Sequence, residues 1–567
     1  MELGKILVAS AWPYVNYTPH LGTMVQVLST DVVARYYRLK GEDVIMVSGS
    51  DEHGTPIEVE AIRLGVQPKQ LTDKVHAKVV ELFKRWGISF DNYTRTENPV
   101  HKDFVQKHFM KLYSNGYIFE KETEMLYCEK CKRFLPDRFV EGKCPYCGYT
   151  PARGDQCADS CGRLLEPTLL IDPYCAICKA KPVLKKTKHW YFDLPKFAEE
   201  LEEYIRNNRQ LPTNAKNFSL NLIREGLKPR AVTRDGKWGI PAPFPGAEEK
   251  TIYVWVEAVL GYVSATIEYF KNRGEPEKWR EFWFNKDAKT LFFIGKDNIP
   301  FHTIIFPALL LGTHEGYNLP WNVSTTEFLQ FKGEKASKSL RRGIWIDEAL
   351  ELFPADYWRY FLIATRPETK DSNFSWEIFT EKINADLNDT FGNFIHRTLS
   401  FINRQFNSQV PEPARLDADD KKVLEALKEK VGEIAADFEA CRLQSAVNGV
   451  IGISRLGNQY LNEKEPWNLI KRDRAKAATV IYVAAQLVKA LAITSAPIVP
   501  FTAEKLWKTL NLPRCLHEQR WDEAIKPLPA WHKIAEAKPL FRKIEADEKR
   551  LDEMLEKVRK AMASENL

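Results

Sequence analysis

The chain has 567 residues, with 82 Lys and Arg against 76 Asp and Glu, a formal net charge of +6. Its 44% hydrophobic and 28% charged residues supply enough apolar material for packed cores and exclude disorder as the main state. At about 100–200 residues per domain the length calls for three or four domains, and so small a net charge does not announce a nucleic-acid partner.

No uninterrupted apolar run approaches the ~18 residues that span a bilayer. The longest, Ile304 to Leu311, is broken by Pro307, so no membrane partner is expected. Met1 to Tyr17 lacks a basic n-region and a small-residue cleavage site and does not read as a signal peptide. Eight cysteines crowd in pairs into Cys128–Cys178, with Cys441 and Cys515 left over. That is metal-ligand usage, pointing to a reducing compartment and a cytoplasmic protein.

Lys5 to Ala11 is an apolar strand, and Met24, Val27, Leu28, Val32, Val33 and Tyr36 predict a helix from Leu21 to Leu39. A second strand, Asp43 to Gly49, runs into Asp51, Glu52, His53 and Gly54. Strand, helix, strand with polar residues at strand ends predicts an α/β fold, a doubly wound parallel sheet with ligands at its carboxyl edge. From about Asn115 to Arg230, Cys pairs and Gly- and Pro-rich turns predict an insertion. Thr251 to Trp255 and Thr290 to Gly295, each followed by a helix (Val256–Asn272, Ile299–Leu311), are expected to complete the sheet. Beyond about Ser375 the chain is helical. Its last helix, Lys543 to Asn566, carries Ile544, Leu551, Met554, Leu555 and Val558 toward the bundle or a partner.

Two Cys-turn repeats, Cys128/Cys131 with Cys144/Cys147 and Cys157/Cys161 with Cys175/Cys178, predict two closed tetrahedral Zn²⁺ sites. Spacing alone allows sequential or nested pairing. At the start of the first helix, His20, Gly22 and Thr23 fit an anion site. There N–H groups and the helix dipole favour phosphate, Gly22 admits a flat group, and His20 donates a hydrogen bond. The polar loop of Lys335, Ala336, Ser337, Lys338 and Ser339 can hold a triphosphate. The two motifs come from opposite halves of one sheet; converging on one crevice, they make a nucleotide site.

With these motifs the sequence resembles the class I aminoacyl-tRNA synthetases, and among them the methionyl-tRNA synthetase family, over almost its whole length. The resemblance is carried by Ala11 to Asn16 before His20, Ser50 to Pro56, Thr233 to Asp235, Lys237 to Pro241, Tyr253 to Trp255, and Phe293 to Asp297 leading to His302. Thr23, Ala336 and Val259 depart from the usual family residues at their positions. The resemblance implies nested zinc pairing: Cys144, Cys147, Cys157 and Cys161 around one ion, Cys128, Cys131, Cys175 and Cys178 around the other. It also implies that Ala11, Trp12, Tyr14, Asp51, Trp255, Ala258, Tyr262 and His302 line a methionine site. Asp51 suits the α-ammonium and the aromatics suit a thioether. Trp255, Ala258 and Tyr262 are expected on one helix face.

By the same resemblance His20, Thr23, Lys335 and Lys338 serve catalysis, with Mg²⁺ on ATP and Gly295 and Asp297 at the adenosine. Asn393, Arg397 and Trp467 match anticodon-reading positions, and such side chains suit unpaired bases. The implied partners are L-methionine, ATP and tRNA(Met), with a separate tRNA-binding chain as a further candidate. The expected domains are two halves of the catalytic sheet (1–114 and 231–325), the zinc-knuckle insertion (115–230), a connector with the lysine loop (326–375) and an anticodon-binding helical bundle (376–567). Synthetases for isoleucine, valine or leucine share both nucleotide motifs but normally carry a large editing domain where this chain has knuckles. A shorter nucleotidyltransferase would lack the helical tail, and a zinc-ribbon binding module leaves the lysine loop unexplained.

Overall fold

The computed structural model describes residues 3–154, 157, 160–161, 165–335 and 342–565. Five parallel strands form the central sheet in the spatial order Asn322–Thr326, Lys289–Gly295, Lys5–Ser10, Asp43–Ser50, Asn92–Arg95. The strand order reverses on either side of Lys5–Ser10, so the sheet is doubly wound and its crevice opens at the carboxyl ends of the first and fourth strands. Ile6, Leu7, Val8 and Ala9 are all buried, as parallel strands covered on both faces require.

The first helix, Leu21–Lys40, is buried nearly all round because it lies between the sheet and the helical region. Tyr36 stacks on Phe438 at 5.1 Å and donates a hydrogen bond to Glu439 at 2.7 Å. Sheet, connector and bundle thus share one apolar core.

Some expected elements differ. The Thr251 run is not a strand of the parallel sheet: Lys250–Ile252 pairs antiparallel with Thr233–Asp235 in a separate ribbon. The second half of the sheet comes instead from Lys289–Gly295 and Asn322–Thr326. The expected helix from Val256 to Asn272 is two, Val254–Ala258 and Gly261–Asn272, broken where Leu260 N–H bonds back to the Glu257 carbonyl at 3.0 Å. After Ile299 the chain makes a π-turn, Phe301–Ile305, before the α-helix Phe306–Leu311. The last helix is Glu548–Glu565, and its Arg559 bonds to Glu348 and to the Gly343 carbonyl.

The insertion is a long hairpin, Ile118–Cys128 with Val183–Phe192, topped by a small sheet, Ala152–Arg153, Val140–Lys143 and Ile171–Cys175. Among the described residues one helix, Arg474–Thr494, is long and apolar enough to cross a membrane, its apolar run interrupted by Gln486 and Lys489. Its most apolar stretch is 94% buried inside the molecule, the mark of a central bundle helix.

Candidate active site and RNA-facing surface

A cavity of about 370 Å³ opens at the carboxyl edge of the sheet, at the switch point. Ala11, Trp12 and Tyr14 enter it from the end of the first strand, and Asp51 from the end of the second. His20, Gly22 and Thr23 come from the start of the first helix, Gly295 and Asp297 from the end of the fourth strand. Trp255, Ala258, Tyr262 and His302 complete the wall. Residues from both halves of the sheet therefore meet in one crevice, and the helix break at Leu260 does not separate Trp255 from Tyr262.

Close backbone approach shapes the Trp12 slot. A Cβ at Gly49 or Gly261 would come within 2.6 Å of the indole, so only glycine fits at either position. The Trp255 indole N–H donates to the Tyr14 hydroxyl at 2.5 Å. The His302 Nδ1–H donates to the Asn298 carbonyl at 3.0 Å, which leaves Nε2 to accept from the Tyr262 hydroxyl at 2.8 Å. Burial lowers His302 to about 4 and raises the Tyr262 phenol, so this wall is neutral and its polar groups satisfy one another.

Asp51 differs. It is buried, its Oδ1 has no hydrogen-bond partner, and burial together with the nearby Glu257 pushes its carboxyl well above the usual range. A buried acceptor of that kind calls for a cation. Behind it His53 lies between Glu257, 2.5 Å away, and Glu97, 2.9 Å away. Burial works against its charge, but the two carboxylates raise it to about 9.

The helix start is organised differently from the expectation. His20 is itself the N-cap: its Nδ1 accepts from the N–H groups of Gly22 at 3.0 Å and Thr23 at 3.4 Å. Those two donors are not open to a ligand. Burial lowers His20 to about 4, which keeps it neutral, and with Nδ1 accepting, the proton sits on Nε2. Gly22 is needed chiefly because a Cβ there would meet the His20 ring at 2.8 Å.

Lys335 ends the short hairpin of Leu329–Phe331 with Glu334–Lys335, whose Leu329 lines the cavity. Ser337, Lys338 and Ser339 lie outside the described residues, as does Ala336. Sequence reasoning missed Gln26, Asn298, Phe301, Glu327 and Arg138 in the cavity wall. Gln26 was within reach, since it lies one turn beyond Thr23. Arg138 comes from the insertion and had no local signal.

The eight paired cysteines form two groups whose sulfurs lie within 4.8 Å of one another: Cys128, Cys131, Cys175 and Cys178, and Cys144, Cys147, Cys157 and Cys161. The nearest sulfurs are 3.4–3.9 Å apart. Four thiolates at about 2.3 Å from a tetrahedral Zn²⁺ stand about 3.8 Å apart, so both groups fit the ion.

On the bundle, Asn393 and Arg397 lie on the helix Asn393–Gln405, with Phe394, Ile395 and Ile402 buried beneath. The preceding segment, Lys382–Gly392, is π-helical. Asn393 is exposed. Arg397 donates to Asn462 at 3.0 Å and lies 4.9 Å over the Trp467 ring, which is 37% exposed and free to stack further.

Residues 6–399 match the family described as "tRNA synthetases class I (M)", and residues 410–558 match the "Anticodon binding domain of methionyl tRNA ligase". The chain is 56% identical to the methionine–tRNA ligase of Korarchaeum cryptofilum over 96% of each chain. It is 52% identical to that of Thermofilum pendens over 99% of this chain and 98% of that one. The solved structure of Mycobacterium tuberculosis methionyl-tRNA synthetase in complex with methionyl-adenylate has the same fold: TM-score 0.79 at 23% identity, covering 95% of this chain and 100% of that one. On this sequence identity, and with the crevice and bundle in place, the chain belongs to the methionyl-tRNA synthetase family of class I.

Proposed function

We propose that the chain joins L-methionine to tRNA(Met), first activating the amino acid with ATP. The methionine carboxylate attacks the α-phosphate, pyrophosphate leaves, and methionyl-adenylate remains. A hydroxyl of the terminal tRNA adenosine then takes the methionyl group and AMP departs. The reading is carried by one observation: the buried, unpaired Asp51 oxygen stands in the same 370 Å³ cavity as the His20 helix start and the Gly295 strand end.

Asp51 holds the α-ammonium, and Ala11, Trp12, Tyr14, Trp255, Ala258, Tyr262 and His302 enclose the side chain. Neutral walls suit a thioether, and aromatic rings add favourable sulfur contacts. His20 offers Nε2–H to a phosphate oxygen, with Gly22 and Thr23 beside it. Gly295 and Asp297 face the adenosine. Lys335, Ser337, Lys338 and Ser339 take the leaving pyrophosphate, where catalysis is mainly positioning and charge stabilisation. Mg²⁺ carried on the triphosphate supplies charge neutralisation. The two cysteine groups each hold a structural Zn²⁺, and Asn393, Arg397 and Trp467 read the anticodon.

The domain division given above is part of this reading. Ten cysteines without a disulfide support a reducing, cytoplasmic setting. Pyrophosphate exchange into ATP with each of the twenty amino acids tests the reading. Exchange supported by methionine is expected; exchange driven by isoleucine, valine or leucine instead, or by none, would overturn it.

A further inference from the structure

Two arginines, Arg359 and Arg366, are among the most deeply buried large side chains, and the chemistry above uses neither. Both belong to the connector: Arg359 lies in the helix Ala355–Ala364, and Arg366 two residues past its end. Arg359 donates to Asp31 at 2.6 Å and to the carbonyls of Pro497 and Ile498 at 3.0 and 2.9 Å. Arg366 donates to Ser29 at 2.9 Å and Ser324 at 2.8 Å, and lies 3.4 Å from Glu368. Ser29 and Asp31 are on the first helix, which begins at His20. Ser324 is on the sheet strand beside the one ending at Gly295.

Glu368 turns the other way. Its Oε1 accepts from the backbone N–H groups of Leu443 at 2.8 Å and Gln444 at 3.2 Å. Those are the first residues of the helix Leu443–Lys464, which has no side-chain cap of its own. A carboxylate from the connector therefore caps it and complements its dipole. The Gln444 side chain closes the junction by donating to the Arg366 carbonyl at 2.7 Å.

This helix has 22 residues, about 33 Å of length at 1.5 Å per residue. Its far end carries Asn458 and Asn462, which accept from Arg397 at 3.4 and 3.0 Å, and it leads directly into the turn bearing Trp467. One rigid element thus runs from the RNA-facing surface to Glu368, which pairs with Arg366, and Arg366 in turn is bonded through Ser29 to the helix that presents His20. Arg366 is buried, so breaking its contacts would leave a charge and its polar partners unpaired, and the junction has little freedom to slip.

We infer that Glu368 and Arg366 are positioning residues that tie the anticodon-facing helix Leu443–Lys464 to the helix presenting His20, so that bound tRNA sets the geometry of the transfer step. The inference rests on the functional reading above. Glu368 touches neither the cavity nor the RNA-facing residues, which makes it the position to change. With the full-length, zinc-loaded Glu368→Ala variant, kcat for charging tRNA(Met) is expected to fall about tenfold, within the usual range of coupling between sites. Methionine-dependent pyrophosphate exchange and tRNA Kd should stay within about twofold, since neither site is altered directly.

Glu368→Gln keeps an oxygen for the Leu443 and Gln444 N–H groups and should recover most of the lost charging. Should Glu368→Ala not fold, Gln444→Leu, which removes only the bond to the Arg366 carbonyl, carries the same expectation. Charging that stays at the wild-type level, or exchange that falls in step with charging, overturns the inference. A wild-type chain without methionine-dependent exchange would instead overturn the functional reading, so the two failures are distinguishable.

Discussion

The chemistry of the crevice turns on Asp51. Its carboxyl is buried, and its raised pKa reflects the cost of holding that charge away from water and beside Glu257, which the neighbouring His53 offsets only in part. A bound ammonium reverses the balance by favouring the carboxylate, so methionine binding releases a proton when the free carboxyl is protonated. Methionine KM should therefore rise as pH falls through the elevated pKa. Asp51→Asn should raise that KM about a hundredfold at neutral pH, the scale for removing one partner of a buried charge pair, with ATP KM nearly unchanged. Steady-state exchange kinetics across pH read both effects; an Asn variant with wild-type methionine KM would rule out the ammonium role. His20 stands at the helix start as the sequence suggested, but its role there differs in detail. Its position at the helix start was legible, but its Nδ1 consumes the N–H groups expected to meet phosphate, leaving Nε2–H as the donor.

At the scale of elements, the parallel sheet was legible because buried strands form short apolar runs, and Lys5–Ser10, Asp43–Ser50 and Lys289–Gly295 stand close to where they were expected. Thr251 to Trp255 has the same composition, yet its first residues join a two-stranded ribbon and its last begin a helix, since apolarity marks burial and not the partner. The helix from Val254 breaks at Leu260, where the backbone turn brings Gly261 against Trp12, a tertiary contact no periodicity encodes. Arg138 was invisible for the same reason: the insertion folds back over the sheet and delivers it to the cavity. The cysteine turns are half legible: each pair is written locally in its spacing, but which turns share an ion is set by the fold, which brings Cys128 and Cys131 to Cys175 and Cys178. Metal analysis of the purified chain should find two Zn²⁺, and Cys131→Ser should bind one, because a four-thiolate site loses most of its affinity with one ligand. Two ions retained by the variant would contradict the assignment of Cys131.

Five histidines, wholly or partly buried, are held neutral in the folded molecule. Burial lowers His20, His76, His108 and His302 to about 4, and His101 to about 3. Unfolded histidine titrates near 6.5, so below that pH the unfolded chain binds more protons and folding stability falls toward pH 4. His53 acts in the other direction: raised to about 9, it adds stability that is full below 6.5 and lost as pH rises through 9. The urea midpoint, followed by tryptophan fluorescence with zinc saturating, should fall steeply between pH 7 and 5; a flat midpoint would contradict the neutral assignments.

The same molecule joins a methionine-activating crevice to an anticodon-binding bundle through one shared core, so the two tasks are divided between its ends. Trp467, exposed beside Arg397 and remote from the cavity lining, separates the two tasks. The most direct test measures exchange and tRNA charging side by side on Trp467→Ala. Charging is expected to fall about tenfold or more, the scale of one lost base stack, while methionine-dependent exchange stays at the wild-type rate. An equal loss in both activities, or full charging without the indole, would contradict that division of tasks.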